Sequence, residues 1–349
     1  MKIPLLLMLM LFGVLMINGE DHQEGEWHVG SSRINVLPPV DGKTDYVIPV
    51  TDQQNDENAG TFVKKFDFGV INVGNGSPNA HWVRDVLRVH AMAIGPDPAG
   101  KTAVFLTAEL YMLFKPDLEA FHARLRQALG DAEYANLIVI VHANHNHQGP
   151  DTGGVGLAIN HQYFDYLMGQ MVTCTLKALD SREPARLYWG RQPFYYGLGD
   201  IRDPRLQDAN IRVIRALSLR DPGRYIATMI QWGMHPEVTL DYSPPFNTSD
   251  CKEIVLGGEE CTAKGRYFSH DFPGWYSHQL TKLQGGGDAL YFNGAIGAQV
   301  GNHAPVWEVT PQHPLNDGKH PPIGAQHIPK SFYKAFLIGT ALANFTHQV

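Results

Sequence analysis

The sequence predicts an α/β protein in which mixed β-sheets are covered by helices. Five consecutive apolar residues, 137–141 (LIVIV), are too few for a helix and predict a central strand buried on both faces. Residues 116–129 carry apolar side chains at helical spacing and lead directly into that strand. A helix followed by a parallel strand forms a βαβ unit, so the sheet is expected to have helices on its faces.

The other segments add elements to this plan. Residues 20–62 are polar with Pro and Gly breaks and predict an irregular lead-in, whereas residues 66–73 have a short strand pattern. Residues 87–94 and 103–110 alternate across a turn and predict two paired strands. Further downstream, the patterns predict helices at 160–179, from 268, and at 331–345, and strands at 186–190, 211–219, 225–232 and from 288.

Composition and charge limit the classes of protein. The chain has 349 residues, of which 44% are hydrophobic and 18% are charged, as in globular enzymes. Its net charge of -7 and lack of basic runs exclude nucleic acid as an expected partner. The turn GNGSPN lacks the further glycine of a dinucleotide fingerprint, so nucleotide binding is not expected either.

Residues 1–19 have the pattern of a secretory signal peptide. One basic residue precedes an apolar run from 3 to 17, and small or polar residues follow it. The run is shorter than the ~20 residues that span a bilayer. We therefore expect cleavage near Gly19 and a secreted or periplasmic mature chain, residues 20–349, with one domain and no transmembrane span.

The three cysteines predict one disulfide and one buried thiol. Cys251 and Cys261 could close a loop in an oxidising compartment, while Cys174 lies in a helical pattern. Zinc binding by these cysteines is not favoured because no C-x-x-C spacing occurs.

Histidines follow two of the predicted strands. His145 and His147 come after residues 137–141, and an extended backbone would direct both imidazoles to the same side. His235 follows the strand at 225–232, and Pro236 ends that strand. If the two strands lie side by side, the histidines can share one cation, an interpretation we favour over histidines that only bond loop carbonyls.

Glu109 and four aromatic residues each allow a structural and a functional interpretation. Glu109 ends an apolar strand, where a carboxylate is costly unless it is paired, so it is either a site residue or half of a structural ion pair. Aromatic side chains could line an acyl-chain groove, but core packing is favoured for them. They are Tyr195, Tyr196, Trp275 and Tyr276.

The order of four motifs resembles that of the neutral non-lysosomal ceramidases. The motifs are ANHNHQGPDTGG, GMHPEVT, HDFPGW and FNGAIGAQVGN, and the strands LRVHAMAI and AVFLTAEL extend the match from about residue 86 to the C-terminus. The resemblance implies a ceramidase-like catalytic domain over residues 20–349. It also implies a zinc-dependent amidohydrolase that cleaves an N-acyl bond, of which ceramide is the best known substrate.

The resemblance also implies roles for individual residues. By position, His145 and His235 match zinc ligands, and His147 matches a histidine that assists proton transfer. Arg202, in the segment DIRD, is the nearest match to an arginine that contacts the substrate.

The remaining zinc ligands are not implied in the same way. In the large ceramidases a Glu and a Tyr from a later region complete the site, so this chain is a fragment, completes the site with other groups, or has lost catalysis. Glu109, Asp271 and His303 are suitable by type.

Zinc held by three protein groups would lower the pKa of a bound water to roughly 7, as amide hydrolysis requires.

Two other classes of protein remain open. A dinuclear metallohydrolase would also use H-x-H, although here Asp151 gives H-x-H-x-x-x-D rather than H-x-H-x-D-H. A secreted binding protein could keep the fold without turnover. A serine hydrolase is disfavoured because no G-x-S-x-G occurs.

Overall fold

A computed structural model describes residues 27–44, 60–74, 76, 79–96, 100–154, 158–200, 204, 206–240, 242, 266–297, 299, 306 and 328–349. The predicted signal peptide and the predicted Cys251–Cys261 disulfide lie outside these residues.

The described residues form two sheets. The strands are β1 (Trp27–Asn35), β2 (Thr61–Phe62), β3 (Trp82–Val83), β4 (Arg88–Pro96), β5 (Thr102–Ala108), β6 (Leu137–Ala143), β7 (Glu183–Pro193), β8 (Asn210–Ser218), β9 (Tyr225–Trp232), β10 (Tyr267–Phe268) and β11 (Asp288–Asn293). The large sheet has eight strands in the order β11-β9-β8-β7-β1-β4-β5-β6, and the small one has the order β10-β3-β2. In the large sheet β5 is parallel to β6 and β9 to β11, while the other neighbours are antiparallel, so the sheet is mixed.

Helices cover the sheet on its outer faces. They are α1 (Lys115–Leu129), α2 (Asp131–Tyr134), α3 (His161–Asp180), α4 (Asp271–Leu283) and α5 (Phe332–Gln348). The backbone N–H of Phe114 donates to Asp117 Oδ2 (2.7 Å) at the start of α1, and Asn160 Oδ1 accepts from the N–H of Tyr163 at the start of α3 (3.0 Å). Both are side-chain contacts that satisfy backbone groups at helix starts.

The eight-stranded sheet folds over on itself between β7 and β1. These two strands pair at only three positions, whereas β1 pairs with β4 at nine. The halves on either side face each other across a shared apolar layer, to which Met92, Phe105, Met229 and Leu290 belong. One outer face packs on α3 and the other on α4 and α5, so the order of layers is helix, sheet, sheet, helix.

The mixed α/β architecture and most predicted elements are confirmed. Strands β4 and β5 pair, α1 connects the parallel strands β5 and β6, and α3, β7, β8, β9, α4, β11 and α5 all occur where the patterns place them. The aromatic residues Tyr196, Trp275 and Tyr276 are buried in one core cluster, with Tyr195 packed against it, so they belong to the core. Cys174 is a buried thiol, and burial raises its pKa to about 12.

Three local predictions are wrong. The lead-in is not irregular throughout, because β1 lies in it and gains its strand form from pairing with β4 along its whole length. Residues 66–73 form only isolated bridges, Phe66 with Gly69 and Val73 with Pro150. The histidine strand β6 is an edge strand and is half-buried rather than central. Its apolar residues are explained by cover on both faces, since Val139 and Ile140 pack into different clusters.

In the part of the chain that the structure describes, none of the helices combines the length and apolarity needed to cross a bilayer.

Candidate metal centre

Three histidines that follow β6 and β9 meet at one point. One ring nitrogen of each of His145, His147 and His235 lies within 4.8 Å of the others. The ring centroids are 4.6 Å apart for His145 and His235, 4.8 Å for His145 and His147, and 4.9 Å for His147 and His235. This group could hold a metal ion.

The backbone after β6 is not extended, contrary to the prediction. Strand β6 ends at Ala143, and His145 has a φ of 61°, in the left-handed region that non-glycine residues seldom adopt. The buried Asn146 fixes this turn, because its N–H donates to the carbonyl of Leu110 (3.0 Å) and its side-chain amide donates to that of Ser269 (2.7 Å). The left-handed residue therefore directs His145 toward the other rings.

The two histidine strands are not side by side, which corrects a second prediction. Strand β6 is at one edge of the sheet and β9 is next to the opposite edge, so the fold of the sheet brings their ends together. The N–H of His147 donates to the carbonyl of Pro236 (3.3 Å), which joins the two exits directly. The cation site thus lies between the two halves of the sheet.

Backbone contacts define the orientation of two of the imidazoles. His145 Nδ1 is 3.1 Å from the carbonyl oxygen of Tyr111, and His235 Nδ1 is 3.2 Å from that of Ile296. Each Nδ1 must carry a proton to donate to a carbonyl, so each Nε2 carries a lone pair instead of a proton. Metal-binding histidines show this arrangement.

His147 makes a different contact. Its Nε2 is 2.8 Å from His235 Nε2, which is a hydrogen-bond distance. Because the lone pair of His235 accepts, His147 Nε2 is the donor. The proton on His147 therefore lies against the nitrogen that would bind a metal.

All three imidazoles are neutral at neutral pH. Burial lowers the pKa of His145. Burial, followed by the charges of His235 and His145, lowers the pKa of His147 to about 3. Burial and the charge of His145 lower the pKa of His235 to about 4. Metals bind imidazole in its neutral form, so these three rings are in the protonation state that metal binding would need at physiological pH.

Sequence reasoning missed Glu237, which also lies at this site. Its Oε2 is 3.8 Å from His235 Nε2, and its buried Oε1 has no hydrogen-bond partner among the described residues. Burial, followed by the charge of Asp271, raises its pKa to about 7. The signal was present in GMHPE, where a carboxylate follows a strand-ending histidine by two positions.

Two of the proposed extra ligands have structural contacts instead. Glu109 Oε2 accepts from the N–H of Arg88 (2.7 Å), and its other oxygen is 3.9 Å from His90 Nε2. Asp271 accepts from Thr239 and from the N–H of Phe272. Both carboxylates are therefore engaged by hydrogen bonds within the fold. The other two sequence candidates, Arg202 and His303, lie outside the described residues.

Tyr111 closes one side of the centre. Its ring stacks on His145 with centroids 5.0 Å apart and meets His147 edge-on at 4.7 Å. Burial, followed by the charges of Asp151 and Glu237, raises the pKa of its hydroxyl. Asp151 itself accepts from the N–H groups of Gly153 and Gly154, both at 2.9 Å, and so shapes the turn after the histidines.

An open cleft of about 420 Å³ reaches His145. Its wall combines polar and apolar groups, and Phe114 in that wall is half exposed. The apolar lining is Met112, Leu113, Phe114, Leu118, Val141 and Ile296. The cleft also contacts Asn293 and His142, so a bound molecule would have both polar and apolar partners.

Comparisons with known proteins give a structural match only. No protein-family model matches this sequence, and no curated protein matches it. The solved neutral ceramidase from Pseudomonas aeruginosa is similar over 93% of this chain, with a TM-score of 0.61 and 14% sequence identity. A ceramidase complexed with C2 has the same coverage and TM-score at 13% identity.

The chain spans 44% of the length of each of these ceramidase structures. At such low identity the similarity concerns the fold. Over nearly all of its length, this chain therefore has the fold of the neutral ceramidases.

Proposed function

We propose that this chain is a zinc-dependent hydrolase that cleaves the N-acyl bond of ceramide or a related amide. The observation that carries the proposal is the convergence of His145 and His235, 90 residues apart, around one point of a ceramidase-like fold. In the same proposal residues 1–19 are a signal peptide, residues 20–349 are the catalytic domain, and the protein is exported.

The donor set fits zinc. His145 and His235 would hold the ion through Nε2, since a backbone carbonyl occupies the Nδ1 of each ring. Neutral imidazoles are common zinc ligands, and zinc sites with open positions serve hydrolysis. When bound, zinc supplies Lewis-acid chemistry that lowers the pKa of water and polarises a carbonyl.

His147 would carry the proton. Its Nε2 lies 2.8 Å from His235 Nε2. Backbone carbonyls orient the other two rings instead. His147 would take up the proton released when water attacks the carbonyl and pass it to the leaving nitrogen, which cannot depart as an anion.

The cleft would take the acyl group. A carbonyl placed beside His145 leaves an attached hydrocarbon chain against Leu113, Phe114 and Leu118. Removing that chain from water favours binding, at about 0.8 kcal/mol per buried methylene group. Arg202 stays the predicted group for an oxyanion or for an anionic part of the substrate.

Hydrolysis of a panel of N-acyl substrates tests the proposal. The zinc-loaded full chain and its His145→Ala variant are incubated with amides of increasing acyl length, and the fatty acid released is measured by mass spectrometry. We expect release by the wild type and none by the variant. The proposal fails if no amide in the panel is cleaved, or if His145→Ala retains the wild-type rate.

The metal content of the same sample separates the rival classes. One ion per chain is expected. Two ions would indicate a dinuclear hydrolase, and a chain that binds none would indicate a binding protein.

A further inference from the structure

Glu237 is a buried carboxylate whose hydrogen-bonding capacity is not fully used among the described residues. Its exposed fraction is 6%, and Oε1 has no hydrogen-bond partner within the described part of the chain. Burying a charged group is unfavourable unless an opposite charge or hydrogen bonds compensate it. A cation or a hydrogen-bond donor beside this oxygen would lower that cost.

The neighbouring side chains that the structure describes do not provide such a partner. Asp271 is a second carboxyl group near Glu237, and its own hydrogen bonds come from Thr239 and Phe272. His235 is the nearest imidazole, but its proton is on Nδ1, which faces the carbonyl of Ile296. Its Nε2, the atom near Glu237, accepts from His147 and has no proton to donate. A cation at this point would compensate the carboxylate.

The distance from Glu237 to His235 fits two ligands of one ion. Two atoms that each lie about 2.1 Å from a tetrahedral zinc ion are roughly 3.4 Å apart. Glu237 Oε2 and His235 Nε2 are 3.8 Å apart, close to that separation. His147 and His235, at 2.8 Å, are closer than two ligands of one ion would be.

The backbone turns Glu237 back toward the histidine. Its N–H donates to the carbonyl of His235 (2.9 Å), and its carbonyl accepts from the N–H of Leu240 (3.1 Å). Pro236 lies inside this turn and contributes its carbonyl to His147. The local fold thus holds the carboxylate on the same side of the strand exit as the imidazole.

We propose that Glu237 is the carboxylate ligand that completes the metal centre begun by His145 and His235. Two imidazoles and one carboxylate form a ligand set that leaves one zinc position open. His147 stays outside this set and keeps its proton. The proposal rests on the metal centre of the proposed function, but it does not depend on amide hydrolysis.

Zinc affinity tests the proposal without any substrate. The full chain is stripped of metal and titrated with zinc against a chromophoric chelator, for the wild type, Glu237→Gln and Asp151→Asn. Asp151→Asn is the matched control, because Asp151 is another buried carboxylate near Tyr111 and its side chain forms the turn bonds to Gly153 and Gly154. Each substitution keeps the shape of the side chain and replaces a carboxylate with a neutral amide.

We expect Glu237→Gln to bind zinc more than about 100-fold more weakly than the wild type, and Asp151→Asn to stay within about tenfold. Loss of a group that only orients a ligand typically costs 10–100-fold in affinity. A loss below about 100-fold in Glu237→Gln would therefore overturn the proposal. So would an equal loss in the control.

Anomalous X-ray diffraction from the zinc-loaded wild type keeps the proposal testable if Glu237→Gln does not fold. The proposal requires a Glu237 oxygen about 2.0–2.2 Å from the ion, and a longer distance would contradict it. The two proposals can fail separately. Zinc bound with Glu237 but no amide cleavage refutes only the function, whereas cleavage with an unaffected Glu237→Gln affinity refutes only this ligand.

Discussion

Two neighbouring buried carboxylates, one at the start of α4 and one at the exit of β9, have opposite surroundings. Asp271 accepts hydrogen bonds from the N–H and the hydroxyl of Thr239 and from the N–H of Phe272. Glu237 has an oxygen with no partner among the described residues and lies near a histidine of the metal centre. The contrast separates a carboxylate that holds the fold from one suited to a cation.

The buried histidines show the same contrast. Both ring nitrogens of His142 are engaged, Nδ1 with Thr107 Oγ1 (3.0 Å) and Nε2 with the N–H of Asn293 (3.3 Å). His147 instead directs Nε2 to His235 in the metal centre. Hydrogen bonding therefore separates His142, which is engaged within the fold, from His147, which lies in the candidate metal centre.

The largest effect is expected from His147→Gln. An amide can donate to His235 but cannot take up and release a proton, so turnover of a cleaved N-acyl substrate should fall about 100- to 10,000-fold. The zinc content should not change. Steady-state kcat and metal analysis of the same sample check both statements. A variant that keeps its rate, or that loses its zinc, would remove the distinction between His147 and the two ligand histidines.

His142 should make stability depend on pH. Burial, followed by the charge of His145, lowers its pKa to about 4 from an ordinary value of 6.5. Between these values the unfolded chain binds more protons than the folded one, so the folded state loses stability as the pH falls from about 6.5 to 4. Over this pH interval the total loss in the free energy of unfolding is on the order of 3 kcal/mol.

Urea unfolding of the metal-free wild type and of His142→Gln at several pH values measures this contribution. As the pH falls from about 6.5 to 4, the free energy of unfolding of His142→Gln should decrease less than that of the wild type. Parallel curves for the two proteins would show that protonation of His142 is not linked to folding.

The smallest effect is expected from two isosteric substitutions in the metal-free protein, Asp271→Asn and Glu237→Gln. Together they compare the two buried carboxylates directly. Asp271→Asn places an amide where Thr239 donates two bonds, so at least one buried donor loses its acceptor, at a cost of about 2 kcal/mol. Glu237→Gln breaks no bond at Oε1 and removes an uncompensated charge, so it should not destabilise the protein. Equal losses in urea unfolding would show that the two carboxylates do not differ.

Much of the fold follows from local sequence patterns. Alternation in β4 and β5 and helical spacing in α1 are properties of short segments, so the sequence predicts them directly. Strand β1 (WHVGSSRIN) has no such pattern, because its conformation depends on pairing with β4. The edge position of β6 also depends on where the folded sheet ends.

The candidate metal centre was predictable in its residue types but not in its geometry. Histidines at two strand exits indicate a cation, yet the left-handed backbone of His145 depends on contacts made by Asn146 in the folded chain. The sequence also could not distinguish Glu109 from Glu237, since both follow apolar strands. The hydrogen bond from the N–H of Arg88 to Glu109 and the unpartnered Oε1 of Glu237 separate a structural carboxylate from a candidate ligand within the described residues.

The zinc content of the purified chain is measured by mass spectrometry after zinc loading and removal of free metal. One zinc per wild-type chain is expected, and almost none in folded His145→Ala or His235→Ala. A wild-type chain without zinc would contradict the claim that the two strand exits share one ion, as would either variant that retains it.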